Sequence, residues 1–305
     1  MSERANAVAV PETIQTYAQG LAQESITSLA DFIAPTVEVS SVTGYYKKYT
    51  EKHRFKTPAT RRAIGGRATE LAFDVSDAKF SVEPYALDVP LDKFVTEADD
   101  MENTLQEAIE MGVESGTLDH ELEVIDAVNN SLTEEAFAVG ANDDFVDKLD
   151  EKIMLVLKAA AMGSMMQPRI VWGANAWRKY KNHASVKNRI GPKTAKGVSV
   201  TINDTADLQL ARPESRECYN VKDTAPEGKP RNLEFVLDTQ ILIFAAKSNP
   251  TRRDPSFMKT FRKRGSFISP RVYQRDDGRV EVAALDWSHE VQSTNTEAAI
   301  LLDLQ

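Results

Sequence analysis

The sequence has very little cysteine and no long apolar run, and both absences exclude kinds of protein. Cys218 is the single cysteine among 305 residues, so neither an intrachain disulfide nor a metal site of several cysteines can form. This composition suits a reducing cytoplasm. No uncharged apolar stretch approaches the roughly 20 residues of a membrane span, which predicts no membrane partner. Residues 1–10 lack the basic start and apolar stretch of a secretory signal.

Motifs that carry catalysis are equally scarce. The four histidines lie too far apart to form ligand pairs: His53, His120, His183 and His289. Asp119, His120 and Glu121 are adjacent, so on a helix they fan apart instead of converging. Gly191-Pro192-Lys193 lacks the flanking glycines of a phosphate loop, and Cys218 is typical of a small buried residue rather than a nucleophile. The sequence therefore predicts no catalytic, cofactor-binding or metal-binding residue.

Charge is unevenly distributed along a chain whose net charge is −9. Residues 45–67 hold eight basic residues against one acid, and residues 252–275 hold eight against one again. Between them, residues 92–151 hold nineteen carboxylates against two lysines. The net negative charge argues against a protein that binds nucleic acid over its whole surface.

Two interpretations of these charged segments stay open. A charge run is usually a solvated face, but basic and acidic segments of one chain can also meet on neighbouring copies, where they set orientation. Aromatic residues interleave with the first basic run at Tyr45, Tyr46, Tyr49 and Phe55. They could form a single-strand nucleic-acid platform, but strands packing on a neighbour fit the acidic chain better.

The first third of the chain predicts an arm followed by a long two-stranded excursion. Pro11 to Phe32 has helical spacing, while Val37 to Val39 and Tyr45 to Thr50 are typical of extended chain. Leu71 to Val75 alternates with period two, and Phe80 and Val82 continue that edge. The excursion has a basic tip around Lys52 to Gly66. Because a two-stranded ribbon is marginal alone, a neighbouring subunit is its expected support.

The rest of the chain mixes helices and strands. Leu105, Ile109 and Val113 predict a long acidic helix over 99–128. A kink or break is expected at 115–117, because Leu118, Leu122 and Ile125 resume the apolar face out of phase. A second helix is predicted over 143–161, capped by Asn142 or Asp143. The other predicted elements are a strand at 168–172, helices at 175–180 and 201–211, a strand at 216–221, a loop at 222–231, a strand at 233–246 and a hairpin turning at Asp276-Asp277-Gly278.

Taken in order, these segments resemble the major capsid proteins of tailed bacteriophages, a fold that encapsulins share. The resemblance runs from about Leu29 onward and depends on the number and order of the segments, since the family has no catalytic signature. The segments that carry it are LADFIAPTVEVSSVTGYYKKYTEKHRFKTPATRRAIGG, ATELAFDVSDAKFSVEPYALDVPLDKFVTEAD, GTLDHELEVIDAVNN, PRIVWGANAWRKYKNHASVKNRI and ILIFAAKSNPTRRDPSFMKTFRKRG.

The resemblance implies an α+β subunit of the phage major-capsid type. Its parts would be an N-terminal arm (1–36), an extended β-hairpin loop (37–91), a peripheral domain with a long spine helix (92–142), an axial domain with a central sheet (143–270) and a C-terminal hairpin returning to the peripheral domain (271–305). Hexamers and pentamers would form an icosahedral virion shell, assembled in the host cytoplasm, that encloses double-stranded DNA without sequence-specific binding. The expected partners are further copies of itself, a separate scaffolding protein, a portal and decoration proteins.

In this family the extended loop lies over a neighbouring subunit, which implies two sets of contact residues. The basic set on the loop is Lys47, Lys48, Lys52, Arg54, Lys56, Arg61, Arg62 and Arg67. The acidic partner set is Asp99, Asp100, Glu102, Glu107, Glu110 and Glu114. No enzymatic activity and no cofactor are expected. Two alternatives stay open: an encapsulin-type shell, and a metal-dependent enzyme that uses the carboxylate-rich segment.

Overall fold

The computed structural model of the protein describes residues 7–8, 29–48, 64, 76–92, 94, 101–160, 166–190, 200–226, 228–265, 268–275 and 278–305. In chain order its α-helices are α1 (Leu29–Ile33), α2 (Met101–Ser131), α3 (Phe145–Ala160), α4 (Ala174–Asn182), α5 (Ala184–Ile190) and α6 (Ile202–Ala206). Its strands are β1 (Ala7–Val8), β2 (Thr36–Val39), β3 (Thr43–Lys48), β4 (Ser76–Ser81), β5 (Glu83–Asp92), β6 (Glu134–Phe137), β7 (Gln167–Gly173), β8 (Glu214–Cys218), β9 (Val221–Asp223), β10 (Leu233–Phe235), β11 (Gln240–Ala246), β12 (Met258–Lys263), β13 (Ser269–Gln274), β14 (Val280–Ser293) and β15 (Ala299–Leu304).

The chain forms two compact units, each built from several separate segments. The first unit contains residues 1–44, 79–126 and 260–292, and the second contains 45–78, 127–259 and 293–305. Both units combine helices with a mixed sheet, so the α+β class predicted from the sequence is confirmed. Among the described helices, none is both long and apolar enough to cross a membrane. The five-part division into arm, loop and domains stays a prediction.

In the first unit, one sheet is covered by helix α2. The strand order is β1-β13-β14-β12-β2, and β5 also pairs with β14. The β13–β14 pair is antiparallel and confirms the predicted hairpin, although Asp276 and Asp277 at its tip lie outside the described residues. Leu105, Ile109 and Val113 of the helix pack on Leu285 and Trp287 of β14. Burial of these side chains stabilises the unit by about 1.5–3 kcal/mol each.

Helix α2 is continuous from Met101 to Ser131, so of the predicted kink or break at residues 115–117 the break does not occur. Leu118 is exposed, whereas Gly112, Gly116 and His120 are buried and follow Leu105 and Ile109 at helical spacing. A Cβ at Gly112 would lie 2.2 Å from Cδ1 of Leu285, and one at Gly116 would lie 3.2 Å from the Trp287 ring. The buried stripe is thus unbroken, because glycine lets β14 side chains fill the space that an apolar side chain fills elsewhere.

The second unit contains a five-stranded sheet in the order β6-β15-β11-β7-β8. Its central strands β15, β11 and β7 are antiparallel, while the edge strands β6 and β8 run parallel to their neighbours. Helix α3, which confirms the second predicted helix, packs on this sheet through Phe145, Leu149, Ile153, Val156 and Ala160, all of them buried. The cap was wrong by one residue: Oδ1 of Asp144 accepts hydrogen bonds from the N–H groups of Val146 and Asp147.

Sequence prediction of the segment around Cys218 was only partly correct. Cys218 is buried at the end of β8, as expected. Residues 222–231 were predicted as a loop and 233–246 as one strand. Instead, β9 and β10 pair as a short antiparallel ribbon, and β11 begins separately at Gln240. Helix α6 is also shorter than predicted and begins at a Thr201–Asp204 capping box.

Candidate functional site

The first candidate surface is the ribbon formed by β3 and β4, which pair in a two-stranded sheet as predicted. At its base the Phe80 ring lies 2.6 Å from where a Gly44 Cβ would stand, so only glycine fits there. Phe80 also stacks on Phe261, with 4.6 Å between the ring centroids. Tyr45 is 60% exposed on the ribbon. The base is therefore firmly packed, while the ribbon presents an aromatic side chain to solvent.

Of the eight basic residues predicted to make contacts, two lie on this ribbon. Lys47 pairs with Asp77 of β4 at 2.6 Å, and its backbone N–H donates to the carbonyl of Arg252. Lys47 therefore has partners within its own chain. Lys48 is exposed at the end of β3. The other six lie outside the described residues: Lys52, Arg54, Lys56, Arg61, Arg62 and Arg67.

The second candidate surface is the outer face of α2, which carries the acidic set. Glu107 and Glu114 are exposed and Glu110 is half-buried. Asp99 and Asp100 lie outside the described residues, and Glu102 lies in α2 without a described side chain. Met111, 63% exposed, and Leu118, 43% exposed, alternate with the two exposed glutamates along one stripe. The surface is therefore both acidic and apolar, and the apolar part was missed because Leu118 was assigned to the core.

A buried polar cluster joins α2 to β14 and β5 in the first unit. Nε2 of His289 lies 2.7 Å from Oε2 of Glu123, so Nε2 carries a hydrogen and donates a hydrogen bond to the carboxylate. Tyr85 stacks on the His289 ring at 4.4 Å and directs its hydroxyl toward Glu123 at 3.5 Å. Burial, together with the charge of Glu123, raises the pKa of Tyr85 to about 12. His120 also touches His289, with 4.4 Å between their ring centroids.

This cluster holds a neutral His120 and does not resemble a metal centre. Burial, together with the charges of His289 and Arg262, lowers the pKa of His120 to about 3. Nε2 of His120 lies 3.4 Å from the Thr260 hydroxyl. Asp119 is exposed and Glu121 accepts from the backbone of Leu29, so the three adjacent polar residues fan apart as predicted. Within the described ranges, no three His, Cys, Asp or Glu side chains converge as metal ligands.

Several basic residues of segment 252–275, which is divided between the two units at residue 260, pair with acids of the same unit. Lys259 is fully buried in the second unit and donates to the carbonyls of Thr251 and Asp254, at 2.8 and 2.6 Å. Its Nζ also lies 3.2 Å from Oδ2 of Asp254. Burial opposes the charge of Asp254, but Lys259 and hydrogen bonds from Ser256 and Thr251 outweigh it and lower the pKa of that carboxyl.

In the first unit, Arg262 pairs with Glu38 and Arg271 pairs with Asp286. Several charges of this segment therefore stabilise the fold, which sets the segment apart from the exposed acidic stripe of α2. No sequence pattern indicated these pairings, because each joins residues from different strands or loops.

The architecture matches solved structures over nearly the whole chain. A phage-related protein from Bordetella bronchiseptica superimposes with a TM-score of 0.71 at 15% identity, covering 98% of this chain and 98% of that one. The mature capsid of bacteriophage PhiM1 gives a TM-score of 0.54 at 10% identity, covering 91% of this chain and 87% of that one. The SrpI encapsulin of Synechococcus elongatus gives 0.52 at 11% identity, covering 99% and 92%.

The chain therefore has the fold shared by phage capsid proteins and encapsulins, and the resemblance seen in the sequence is confirmed at the level of fold. No protein-family model matches the sequence, and neither does any curated protein. At 10–15% identity the similarity lies in backbone architecture rather than in particular side chains.

Proposed function

We propose that this protein is the major capsid subunit of a tailed bacteriophage, a structural protein without enzymatic activity. The observation that carries the proposal is the match of almost the entire chain to structures described as capsids. Many copies would assemble into hexamers and pentamers of an icosahedral shell that encloses double-stranded DNA. The net charge of −9 fits a container that does not adhere strongly to the DNA entering it.

The charged segments supply a contact between copies in this proposal. The basic tip of the β3–β4 excursion, residues 52–67, would lie on the outer stripe of α2 in a neighbouring copy. Glu107 and Glu114 would meet its cations, while Met111 and Leu118 would pack on its apolar and aromatic side chains. Exposed ion pairs are worth only about 0–1 kcal/mol each, so the charges fix the register and apolar burial supplies most of the energy.

Electron microscopy of the purified protein tests this function directly. Closed icosahedral particles are expected, either spontaneously or with a co-expressed scaffolding protein. A protein that stays monomeric or forms only small oligomers under both conditions would contradict the shell function. Separate scaffolding, portal and decoration proteins would be found by mass spectrometry of particles purified from the host.

An encapsulin-type shell is the second candidate, because the SrpI encapsulin covers 99% of this chain. The contents of purified particles separate the two. A phage capsid would enclose DNA protected from nuclease, whereas an encapsulin would enclose a protein cargo. Nuclease-treated particles that contain one abundant protein and no DNA would favour the encapsulin.

A metal-dependent enzyme built on the acidic segment is the rival from another class. The described acidic side chains of α2 point to different sides of the helix, and Glu123 is engaged by His289. Calorimetric titration with Mg²⁺, Mn²⁺ and Zn²⁺ distinguishes this rival. Tight one-to-one binding of any of these ions would favour the enzyme. For a solvated acidic surface we expect weak binding that does not reach saturation.

A further inference from the structure

The β9–β10 ribbon of the second unit has one apolar face that the described residues of its own copy leave exposed. Val221 pairs directly with Phe235, and Asp223 with Leu233. Directly opposed residues share a face of a ribbon, so these four side chains lie on one side. Leu233 is 60%, Phe235 43% and Val221 40% exposed. Tyr219, two residues before Val221 and 54% exposed, adds a further exposed aromatic side chain next to the ribbon.

The other face of the ribbon is polar, which makes the ribbon amphipathic. Lys222 lies directly opposite Glu234 on that face, and both are exposed. A two-stranded ribbon is only marginally stable in water, and clustered exposed apolar side chains mark interaction sites. The pattern indicates that a partner covers the Val221–Phe235 side and leaves the Lys222–Glu234 side in solvent.

A second uncovered apolar patch lies on α3, also in the second unit. Met154 is 50% and Leu155 51% exposed, whereas their neighbours Ile153 and Val156 are fully buried in the core. Glu151 and Lys158 are exposed on the two sides of this pair, one helical turn away. The patch is therefore a short apolar strip with an acid at one end and a base at the other.

We propose that the apolar face of the β9–β10 ribbon in one copy packs against Met154 and Leu155 of a second copy. The inference rests on the proposed function, because it requires the chain to assemble with itself. Two different patches on one chain make a heterologous contact, which closes rings when repeated around an axis. Such a contact fits the pentamers and hexamers of a shell.

Charge complementarity favours this partner over a second ribbon. Asp223 lies on the apolar face beside Leu233, where its Oδ1 accepts hydrogen bonds from the N–H groups of Ala225 and Asn232, and Arg231 precedes β10 by two residues. These charges can meet Lys158 and Glu151 respectively. A ribbon packed on an identical ribbon would instead bring two copies of Asp223 into one contact.

The size of the surface defines what the contact can do. A standard stable interface buries roughly 800 Å² per partner. Four partly exposed side chains of the ribbon and two of α3 bury a smaller area than that. The contact therefore orients copies within a ring that other surfaces already hold together. Its apolar centre supplies binding energy, and its charged rim supplies orientation.

Crosslinking between two singly substituted variants tests the contact. Leu233→Cys protein and Leu155→Cys protein are assembled together and oxidised. A disulfide-linked dimer is expected in the mixture and absent from either variant alone. The natural Cys218 is buried and gives no background, which oxidised wild-type protein verifies. Lys222→Cys mixed with Leu155→Cys is the matched control from the polar face and should stay unlinked.

Other outcomes overturn the contact. If Leu233→Cys alone crosslinks as well as the mixture does, ribbon meets ribbon. If the mixture gives no more dimer than the Lys222→Cys control, the ribbon does not meet α3. A Leu233→Asp, Phe235→Asp variant should keep its monomer unfolding midpoint and lose about tenfold or more in assembly yield. Unchanged assembly of that variant would also refute the contact.

The same samples separate this contact from the proposed function. Normal shells without the crosslink would refute the contact and leave the capsid function standing. The crosslink in small rings that never close into shells would support the contact and refute the capsid function. Electron microscopy of the crosslinked mixture records which of these occurs.

Discussion

Nε2 of His289 lies 2.7 Å from Oε2 of Glu123, although the two residues are 166 positions apart in the sequence. The hydrogen bond ties β14 to the middle of α2 and orients the His289 ring between Tyr85 and His120. Nδ1 of His289 is buried and has no partner among the described atoms. The hydrogen bonds of His289 and Tyr85 in this cluster therefore converge on one carboxylate, that of Glu123.

Acid should destabilise the protein through His120. The unfolded histidine titrates near 6.5, whereas burial holds the folded pKa at about 3. Below about pH 6.5 the unfolded state binds a proton at His120 that the folded state does not bind. The contribution of His120 to the free energy of unfolding is therefore complete above pH 6.5 and is lost as the pH falls toward 3. The expected loss is about 1.4 kcal/mol per pH unit. Urea unfolding at about pH 7.5 and about pH 5.5 measures it.

His120→Leu should flatten this dependence on pH, because the buried ionisable group is removed. His183→Leu, at a partly exposed histidine of the second unit, is the control and should keep the wild-type slope. Equal slopes for wild type and His120→Leu would show that His120 is not the responsible group.

Breaking the buried Asp254–Lys259 pair should be strongly destabilising. Lys259→Met leaves the Asp254 carboxylate buried without its main countercharge, which typically costs about 3–5 kcal/mol. The measurement is the free energy of unfolding in guanidinium chloride. Arg271→Met removes an exposed partner of Asp286 and should leave the unfolding midpoint nearly unchanged. Similar small effects of both variants would mean that the buried pair contributes little.

Gly112→Ala should destabilise helix α2, although alanine normally improves a helix over glycine by about 1 kcal/mol. The added Cβ would lie 2.2 Å from Cδ1 of the fully buried Leu285. Overpacking of this kind usually costs about 1–3 kcal/mol. Thermal unfolding compares this variant with Ser115→Ala, an exposed site on the same helix that should be neutral or stabilising. A higher melting temperature for Gly112→Ala would contradict the tight packing.

Charge reversal on the loop tests the proposed contact with α2. Changing Lys52, Arg54, Lys56, Arg61 and Arg62 together to Glu should block shell assembly while the subunit stays folded. The physical reason is repulsion from the acidic stripe that contains Glu107 and Glu114. Light scattering and electron microscopy measure assembly, and circular dichroism checks folding. Lys222→Glu is the control on another surface. Shells of normal size and yield in the fivefold variant would disprove the contact.

Elements with a strong local pattern could be predicted from the sequence. Phe145, Leu149 and Ile153 recur at helical spacing and are all buried in α3. The run Ile170-Val171-Trp172 is the buried centre of β7. The apolar face of α2 was predicted wrongly for a physical reason. Gly112 and Gly116 carry no apolar side chain, yet both are buried because side chains of β14 fill the space above them. For this reason Leu118, which is exposed, was assigned to the buried face of the helix.

The candidate surfaces were harder to predict, because they depend on contacts between distant residues. Lys47 lies in the basic run, but Asp77 across the ribbon pairs with it. Lys259 lies in another basic run, yet it is fully buried beside Asp254. The pairing of β9 with β10 was missed because Val221 and Phe235 belonged to two separately predicted strands, and the loop between them contains Pro226, Gly228 and Pro230.

The place of β14 in chain order has a consequence for synthesis on the ribosome. Glu83 of β5 pairs with His289 of β14, and the apolar stripe of α2 packs on Leu285 and Trp287 of the same strand. A nascent chain that has completed β5 and α2 therefore carries an uncovered apolar helix face until translation reaches β14. Contacts of such high sequence separation fold slowly, and partly made chains with exposed apolar surface aggregate readily. We expect this subunit to depend on chaperones while it is being translated, and to reach its native first unit only after β14 has left the ribosome.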